Sequence, residues 1–243
     1  MSAYTGFAYV YDQLMENVPY EQWGHYISGV LKSKGLPKKP LVLDLACGTG
    51  TITLALAKEG FEMIGVDSST DMLAQAQQKA YEAEEQILFL AQDMRDLDLY
   101  GTIDGAISVC DGLNYILEPD QLKAVFARVK MFLNPGGVFI FDMNTEYKFK
   151  ELLGQKSFEE DSTSGATYEL DNTYNPTTKI NHYHVYFKDA YEEFEELHTQ
   201  RAYTPEEVTA YLQGAGFTTV EIYHEYSFDA PRADSPRLSF IAM

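Results

Sequence analysis

Residues 41–142 alternate short apolar runs with segments of helical length, and this alternation restricts the fold more than any other feature of the chain. The run at residues 41–46 turns at Cys47-Gly48-Thr49-Gly50, and residues 51–59 resume a helical period up to Gly60, placed for a positive-φ helix end. Residues 61–66 form the next strand-like run. The following helix starts near Thr70, with Ser68 or Ser69 as its cap. Further runs lie at residues 87–90, 103–109 and 138–142, the last preceded by a helix over residues 120–133 and the stop Asn134-Pro135-Gly136-Gly137. Short strands separated by crossover-length helices predict a mostly parallel sheet covered on both faces. Its ligand edge is expected where the strands terminate.

Outside this region the rhythm changes. Residues 20–31 follow Pro19 and read as a helix. Residues 167–174 and 180–187 alternate polar and apolar side chains around the turn-prone residues 175–179, which predicts a two-stranded hairpin. Residues 192–201 fit either a further strand or a helix. Thr204-Pro205-Glu206-Glu207 opens a helix over residues 208–213 that Gly214 and Gly216 stop, and residues 217–226 and 237–243 are strands able to rejoin the main sheet. The expected division is a core of residues 1–143 and 201–243, with an N-terminal helical cap, and a β-rich insertion at residues 144–200 on the substrate side.

The chain has 243 residues, with 37 acidic and 18 basic side chains and a formal net charge of -19. Both halves share the deficit, so no acidic tail explains it. Such a surface repels a phosphate backbone or an anionic membrane and argues against a nucleic-acid partner. Only Cys47 and Cys110 are present, too few for a disulfide framework or a cysteine-rich metal site, and they fit a reducing compartment. The first residues carry no basic leader, and no stretch approaches the roughly 20 apolar residues that span a bilayer. A cytoplasmic chain without membrane association is expected.

At residues 41–50, Gly48 and Gly50 permit tight turning and close backbone approach, and the next helix offers its first amides to an anion. A plain strand-to-helix turn and a ligand loop both fit. A dinucleotide fingerprint would want a third glycine where Thr53 stands, which weakens a dehydrogenase reading. Asp44 can orient the loop or serve as a turn acceptor. Asp67, at the end of the second run, can accept hydrogen bonds from both hydroxyls of a ribose or act as a cap. Asp93 and Met94 can meet an adenine edge and face.

Taken in order, VLDLACGTG, GVDSS, AQDMRDL, SVCDGLNYI and LNPGGVFIFD resemble the motifs of class I S-adenosylmethionine-dependent methyltransferases, over about residues 41–142. The resemblance implies an α/β fold: a Rossmann-like seven-stranded mostly parallel sheet with a reversed final strand, helices on both faces and a β-rich insertion after the fifth strand. It implies S-adenosyl-L-methionine as cofactor, with Ala46, Cys47, Gly48 and Gly50 along its methionine part, Asp67 on the ribose, Ser68 and Met72 beside the adenosine, and Asp93 and Met94 at adenine. Cys110 would contact the cofactor as a pocket residue, and Asp111 would face the acceptor. The segment around Tyr11, Tyr20 and Trp23 looks like a cofactor cap whose aromatic faces can stabilise a sulfonium.

Within the insertion, Tyr168, Tyr174, His182, His184 and Tyr186 could build an acceptor pocket, and His182 and His184 share a strand face at period two. No pattern completes a metal site around them. Asn114, Tyr115, His182 and His184 are the acceptor-side expectations beside Asp111, and no residue is assigned as a catalytic base. The acidic residues 192–196 fit a solvated face better than a lure for a cationic acceptor. The expected activity is methyl transfer to a nitrogen or oxygen of a small molecule, nitrogen ahead of oxygen. The alternatives are an RNA methyltransferase and a cofactor-binding scaffold without turnover.

Overall fold

The computed structural model describes residues 7–154, 157–161, 167–188 and 193–243. Its helices are α1 (Phe7–Leu14), α2 (Tyr20–Ser33), α3 (Thr51–Lys58), α4 (Thr70–Glu82), α5 (Pro119–Phe132) and α6 (Pro205–Gly214). Its strands are β1 (Leu41–Leu45), β2 (Glu62–Asp67), β3 (Leu88–Ala91), β4 (Ile103–Ser108), β5 (Leu133–Asn144), β6 (Ser157–Asp161), β7 (Thr167–Asn175), β8 (Ile180–Lys188), β9 (Glu193–Arg201), β10 (Val220–His224) and β11 (Arg237–Ala242).

Seven strands form one sheet in the order β10-β11-β5-β4-β1-β2-β3. Neighbours from β5 through β3 pair in parallel, whereas β11 runs antiparallel to both β5 and β10. This is the Rossmann-like sheet with a reversed last strand that the motifs imply. Side chains alternate between its two covered faces. Leu43, Leu45, Phe139 and Phe141 meet Leu122, Phe126 and Val129 of α5 and Val208 and Leu212 of α6. Val42, Ile107, Val138 and Ile140 meet Ile27, Val30 and Leu31 of α2 and Ile52 and Leu56 of α3. Phe141 stacks on Phe240 of β11 at 4.8 Å between ring centres, which joins the reversed strand to the core. Each fully buried Leu or Phe contributes about 1.5–3 kcal/mol, so two such layers dominate stability.

Local chemistry sets the helix ends. Ser69 caps α4, its hydroxyl accepting the Met72 amide at 3.3 Å. Thr204 and Glu207 form a reciprocal capping box at α6, and Gly60 follows α3 at φ +93°. The fifth strand is longer than residues 138–142. Leu133 already pairs with Ile103, and the ladder resumes at Val138 with Gly105, so residues 134–137 sit in an irregularity of the strand instead of closing a separate turn.

The insertion is also larger than a hairpin. Strands β6, β7, β8 and β9 form a second, antiparallel sheet in that order, entered through a widened helical turn at Lys148–Leu153. Residues 193–201 take the strand alternative. The side chain of Tyr168 and residue Glu192 lie outside what the structure describes.

Candidate functional site

The site begins where β1 ends. Ala46 turns the chain at φ +61°, Gly48 at +54° and Gly50 at +73°, and the Gly50 amide donates to the Cys47 carbonyl at 2.9 Å. Only glycine adopts such angles without penalty. A Cβ at Gly48 would meet nothing within 4 Å, whereas one at Gly50 would press on the Ala76 Cβ at 2.9 Å. Gly48 is therefore bare backbone facing open space, and Gly50 is a packing glycine that lets α4 approach.

Asp67 closes the first half of the site. Its carboxylate accepts the Gly48 amide and the Ser69 amide, each at 2.9 Å, and so joins the glycine loop to the start of α4. Burial raises its pKa, against the opposing effect of these amides. Asp44 lies beneath the loop, accepts the Thr53 hydroxyl at 2.6 Å, and is pushed up to about 7, chiefly by burial.

At the end of β4 a second left-handed turn, at Cys110 (φ +61°) and Asp111 (φ +53°), aims Asp111 inward. The Asp111 amide donates to Asp142 at 3.0 Å; its carboxylate receives Gln200 at 2.6 Å and Arg237 at 2.7 Å. Arg237 also pairs with Asp142, which takes the Tyr226 hydroxyl as well. Strands β4, β5, β9 and β11 are thereby joined by one buried ionic cluster. Burial pushes the Cys110 thiol up to about 11, and its sulfur lies 3.6 Å from the Tyr20 hydroxyl. A protonated, enclosed thiol is a wall, not a nucleophile.

These pieces surround a cavity of about 550 Å³. Its floor is the two turns. Its sides include Tyr11, Met15, Val18 and Tyr20 from the N-terminal segment, and Tyr183, Val185, His198 and Gln200 from the second sheet close it opposite the loops. A smaller recess of about 190 Å³ adjoins it, sharing Ala46, Asp67, Ser68, Met94 and Tyr115 and adding Asp93. The N-terminal segment is tied down by Asp12, which accepts the Thr49 hydroxyl at 2.7 Å and pairs with Lys79 of α4.

Of the residues expected at the cofactor, Tyr11, Ala46, Cys47, Gly48, Asp67, Ser68, Met72, Met94 and Cys110 line the cavity, and Asp93 lines the recess. The Asp93 carboxylate is engaged by the Arg95 side chain and amide, which lowers its pKa. Gly50 does not line the cavity. Nor does Trp23, which stacks on Tyr226 at 4.5 Å with Arg237 over its ring, because the ionic cluster offers that indole a closer partner.

On the acceptor side, Asp111 and Tyr115 line the cavity. Asn114 is instead a buried strut: its amide donates to the carbonyls of Asn144 and Arg201, and its oxygen receives the Asn144 amide. His182 and His184 point to the opposite face of the second sheet, toward Thr199, Tyr186 and Glu195. One residue of register separates them from Tyr183 and Val185, which face the cavity. The apolar members of the alternation were the available signal, since the buried face takes them. Lys148, Tyr183, His198, Gln200 and Arg237 are cavity residues that motif reading passes over.

Among the described residues, no cluster of three or more His, Cys, Asp or Glu side chains could hold a metal, and no helix is long and apolar enough to cross a membrane.

Residues 42–137 match a family described as a methyltransferase domain. YqeM of Bacillus subtilis (strain 168), named as a methyltransferase only provisionally, is 36% identical, covering 98% of this chain and 96% of its own. A solved S-adenosylmethionine-dependent methyltransferase from Clostridium acetobutylicum ATCC 824 superposes with a TM-score of 0.89 at 30% identity, covering 98% of both chains. Over 48% of this chain and 47% of its own, the dTDP-3-amino-3,4,6-trideoxy-alpha-D-glucopyranose N,N-dimethyltransferase of Streptomyces venezuelae is 32% identical. Similarity over nearly the full length at 36% and 30% identity makes this chain a member of the S-adenosylmethionine-dependent methyltransferase family.

Proposed function

We propose that this protein transfers the methyl group of S-adenosyl-L-methionine to a small-molecule acceptor, with an amine nitrogen favoured over a hydroxyl oxygen. The observation that carries the reading is the cavity between the Gly48–Asp67 junction and the second sheet. Its volume falls in the range of about 300–1,000 Å³ usual for small-ligand sites. The N,N-dimethyltransferase named above supports nitrogen as acceptor. The net charge of -19 disfavours an RNA substrate.

The residues present fit the cofactor. Ala46, Cys47 and Gly48 offer backbone to its methionine part, and the bare Gly48 leaves room for close approach. Each Asp67 oxygen already holds one amide and keeps a second lone pair for a ribose hydroxyl. Ser68 and Met72 would flank the adenosine, and Met94 would pack on adenine beside Asp93. Tyr11 and Tyr20 provide aromatic faces for a sulfonium. When bound, the cofactor supplies a methyl group already activated by positive sulfur.

The chain's own residues then have to align and desolvate. Asp111 faces the acceptor with its carboxylate held by Gln200 and Arg237, which fixes its direction. The second sheet lines one side of the cavity, which supports residues 144–200 as a substrate-side insertion on a core of residues 1–143 and 201–243. Cys47 and Cys110 are free thiols, which supports a reducing, cytoplasmic setting.

Calorimetry with S-adenosylhomocysteine, followed by methyl-label transfer to fractionated metabolites, RNA and protein, tests the reading. Tight binding with label confined to metabolites is expected. Failure of the folded protein to bind either cofactor form rejects it, and nuclease-sensitive label moves the substrate to RNA.

A further inference from the structure

Charge inside the cavity is unevenly matched. Among the described residues that line it, the carboxylates are Asp44, Asp67 and Asp111, and the Lys and Arg side chains are Lys148 and Arg237. Asp44 accepts the Thr53 hydroxyl and Asp67 accepts two amides. Arg237 is engaged by Asp111 and Asp142. No described carboxylate makes an ion pair with Lys148, whose Nζ donates instead to Asn144 Oδ1 at 2.9 Å. The other described half-buried lysines are all matched: Lys34, Lys79 and Lys179 pair with carboxylates, and Lys130 lies over the Phe217 ring. In a chain of net charge -19, a half-buried lysine without a counter-ion stands out.

Its neighbours locate the ammonium. Lys148 opens the widened helical turn that leads into the second sheet, one turn beyond Asn144 at the end of β5, and both residues line the cavity. Asn144 is buried, and its side-chain nitrogen donates to Gln200 Oε1 at 3.4 Å. An ammonium only donates, so Asn144 meets Lys148 with oxygen and passes its nitrogen to Gln200. The turn after β4 feels the same charge: burial raises the Cys110 thiol, and the fields of Arg237 and Lys148 oppose that rise. Lys148 thus stands at the end of the cavity bounded by the Cys110–Asp111 turn and the second sheet.

An ammonium carries three donors, and Asn144 takes one. Two are left for a ligand. We propose that Lys148 is a specificity residue whose ammonium receives an anionic group, a carboxylate or a phosphate, carried by the molecule to be methylated. The proposal rests on the small-molecule methyltransferase reading and narrows its substrate class to acceptors with such a group. The chain's overall negative field opposes an anion, so the local ion pair and its charge-assisted hydrogen bonds have to supply the attraction. That contact lies away from the reacting methyl and holds the ground state and the transition state alike, so its loss belongs in KM.

The test uses the full chain, methyl-labelled S-adenosylmethionine and a filtered low-molecular-mass cell extract as the acceptor source. The labelled product is isolated and its structure read by mass spectrometry and NMR. A carboxylate or a phosphate is expected in it, and whichever appears identifies the source of the charge. With that acceptor, Lys148→Met is expected to raise KM by about tenfold or more while kcat and S-adenosylhomocysteine affinity stay within about twofold. Lys148→Arg, which keeps the charge and its donors, should stay closer to the parent chain. A product with neither group, a parental KM in Lys148→Met, or a loss of S-adenosylhomocysteine affinity as large as the KM effect overturns the proposal. The last result would give the lysine to the cofactor's own carboxylate. If the unmodified chain labels no small molecule, the small-molecule reading fails by itself, and titration of the chain with inorganic phosphate and with acetate, followed through the Lys148 side-chain NMR signals, decides the anion site. A saturable shift with either anion supports it, and no saturable shift with both overturns it.

Discussion

Arg237 reaches Asp111 at 2.7 Å from the far end of the chain, coupling the reversed strand β11 to the turn that follows β4. The same guanidinium pairs with the fully buried Asp142. Removing it strands two carboxylates, and breaking a buried pair from one side costs about 3–5 kcal/mol. Arg237→Met is expected to lower the urea midpoint accordingly, with part of the loss recovered in the double variant with Asp142→Asn. Additive losses in the double variant would show that the two side chains act independently.

Gly48 and Gly50 separate binding from packing. Gly48→Ala imposes left-handed strain of about 1–2 kcal/mol and places a methyl group in open space on the loop, so S-adenosylhomocysteine affinity should fall more than stability does. Gly50→Ala adds a collision with Ala76 to the same strain, so here stability should fall more steeply than for Gly48→Ala. Parallel calorimetry and denaturation of the two variants check the contrast.

Asp67→Ala removes the acceptor for two amides and both oxygens proposed to meet the ribose. An S-adenosylhomocysteine affinity loss of at least about tenfold is expected, with Asp67→Asn intermediate because one oxygen remains. Calorimetry measures both.

Asp12 and Lys79 hold the N-terminal segment over the glycine loop through Thr49. The pair is partly exposed, so its direct stability contribution is at most about 1 kcal/mol and falls with salt. Asp12→Asn should leave the unfolding midpoint nearly unchanged while S-adenosylhomocysteine dissociates a few-fold faster, a difference that narrows at high salt. Stopped-flow fluorescence follows it.

Asp44 makes stability depend on pH. Its folded pKa of about 7 lies above the ordinary aspartate value, so the folded state binds its proton more tightly. Stability from this group is full below about pH 4 and is lost as pH rises toward about 7. Asp44→Asn, which keeps an oxygen for Thr53, should gain stability relative to the parent chain across that interval. A constant difference from pH 4 to pH 8 in denaturation midpoints would remove Asp44 as the cause.

Much of this molecule is legible from local patterns, because strand ends, glycine turns and caps are set by neighbours in sequence. The loop at residues 46–50, Asp67 and Met94 follow from where the short apolar runs end, whereas the places of Cys110 and Asp111 follow from the resemblance of the ordered motifs. What eluded the reading has a physical pattern. In β8 the choice between His182 with His184 and Tyr183 with Val185 turns on a single step of register, and the strand alone does not say which face another sheet will cover. Trp23 shares the aromatic segment that lines the cavity, yet stacks on Tyr226, a partner 203 positions later.

The sequence by itself determined the alternating sheet, the order of its motifs and the chemistry of the glycine loop, since these depend on periodicity, backbone freedom and residues close along the chain. Tertiary structure alone decided which face of the insertion covers the cavity, that Asp111 meets Gln200 and Arg237, and that Tyr115 meets His198. Those contacts join strands distant in sequence, and their existence depends on how two sheets pack, a property no local pattern encodes.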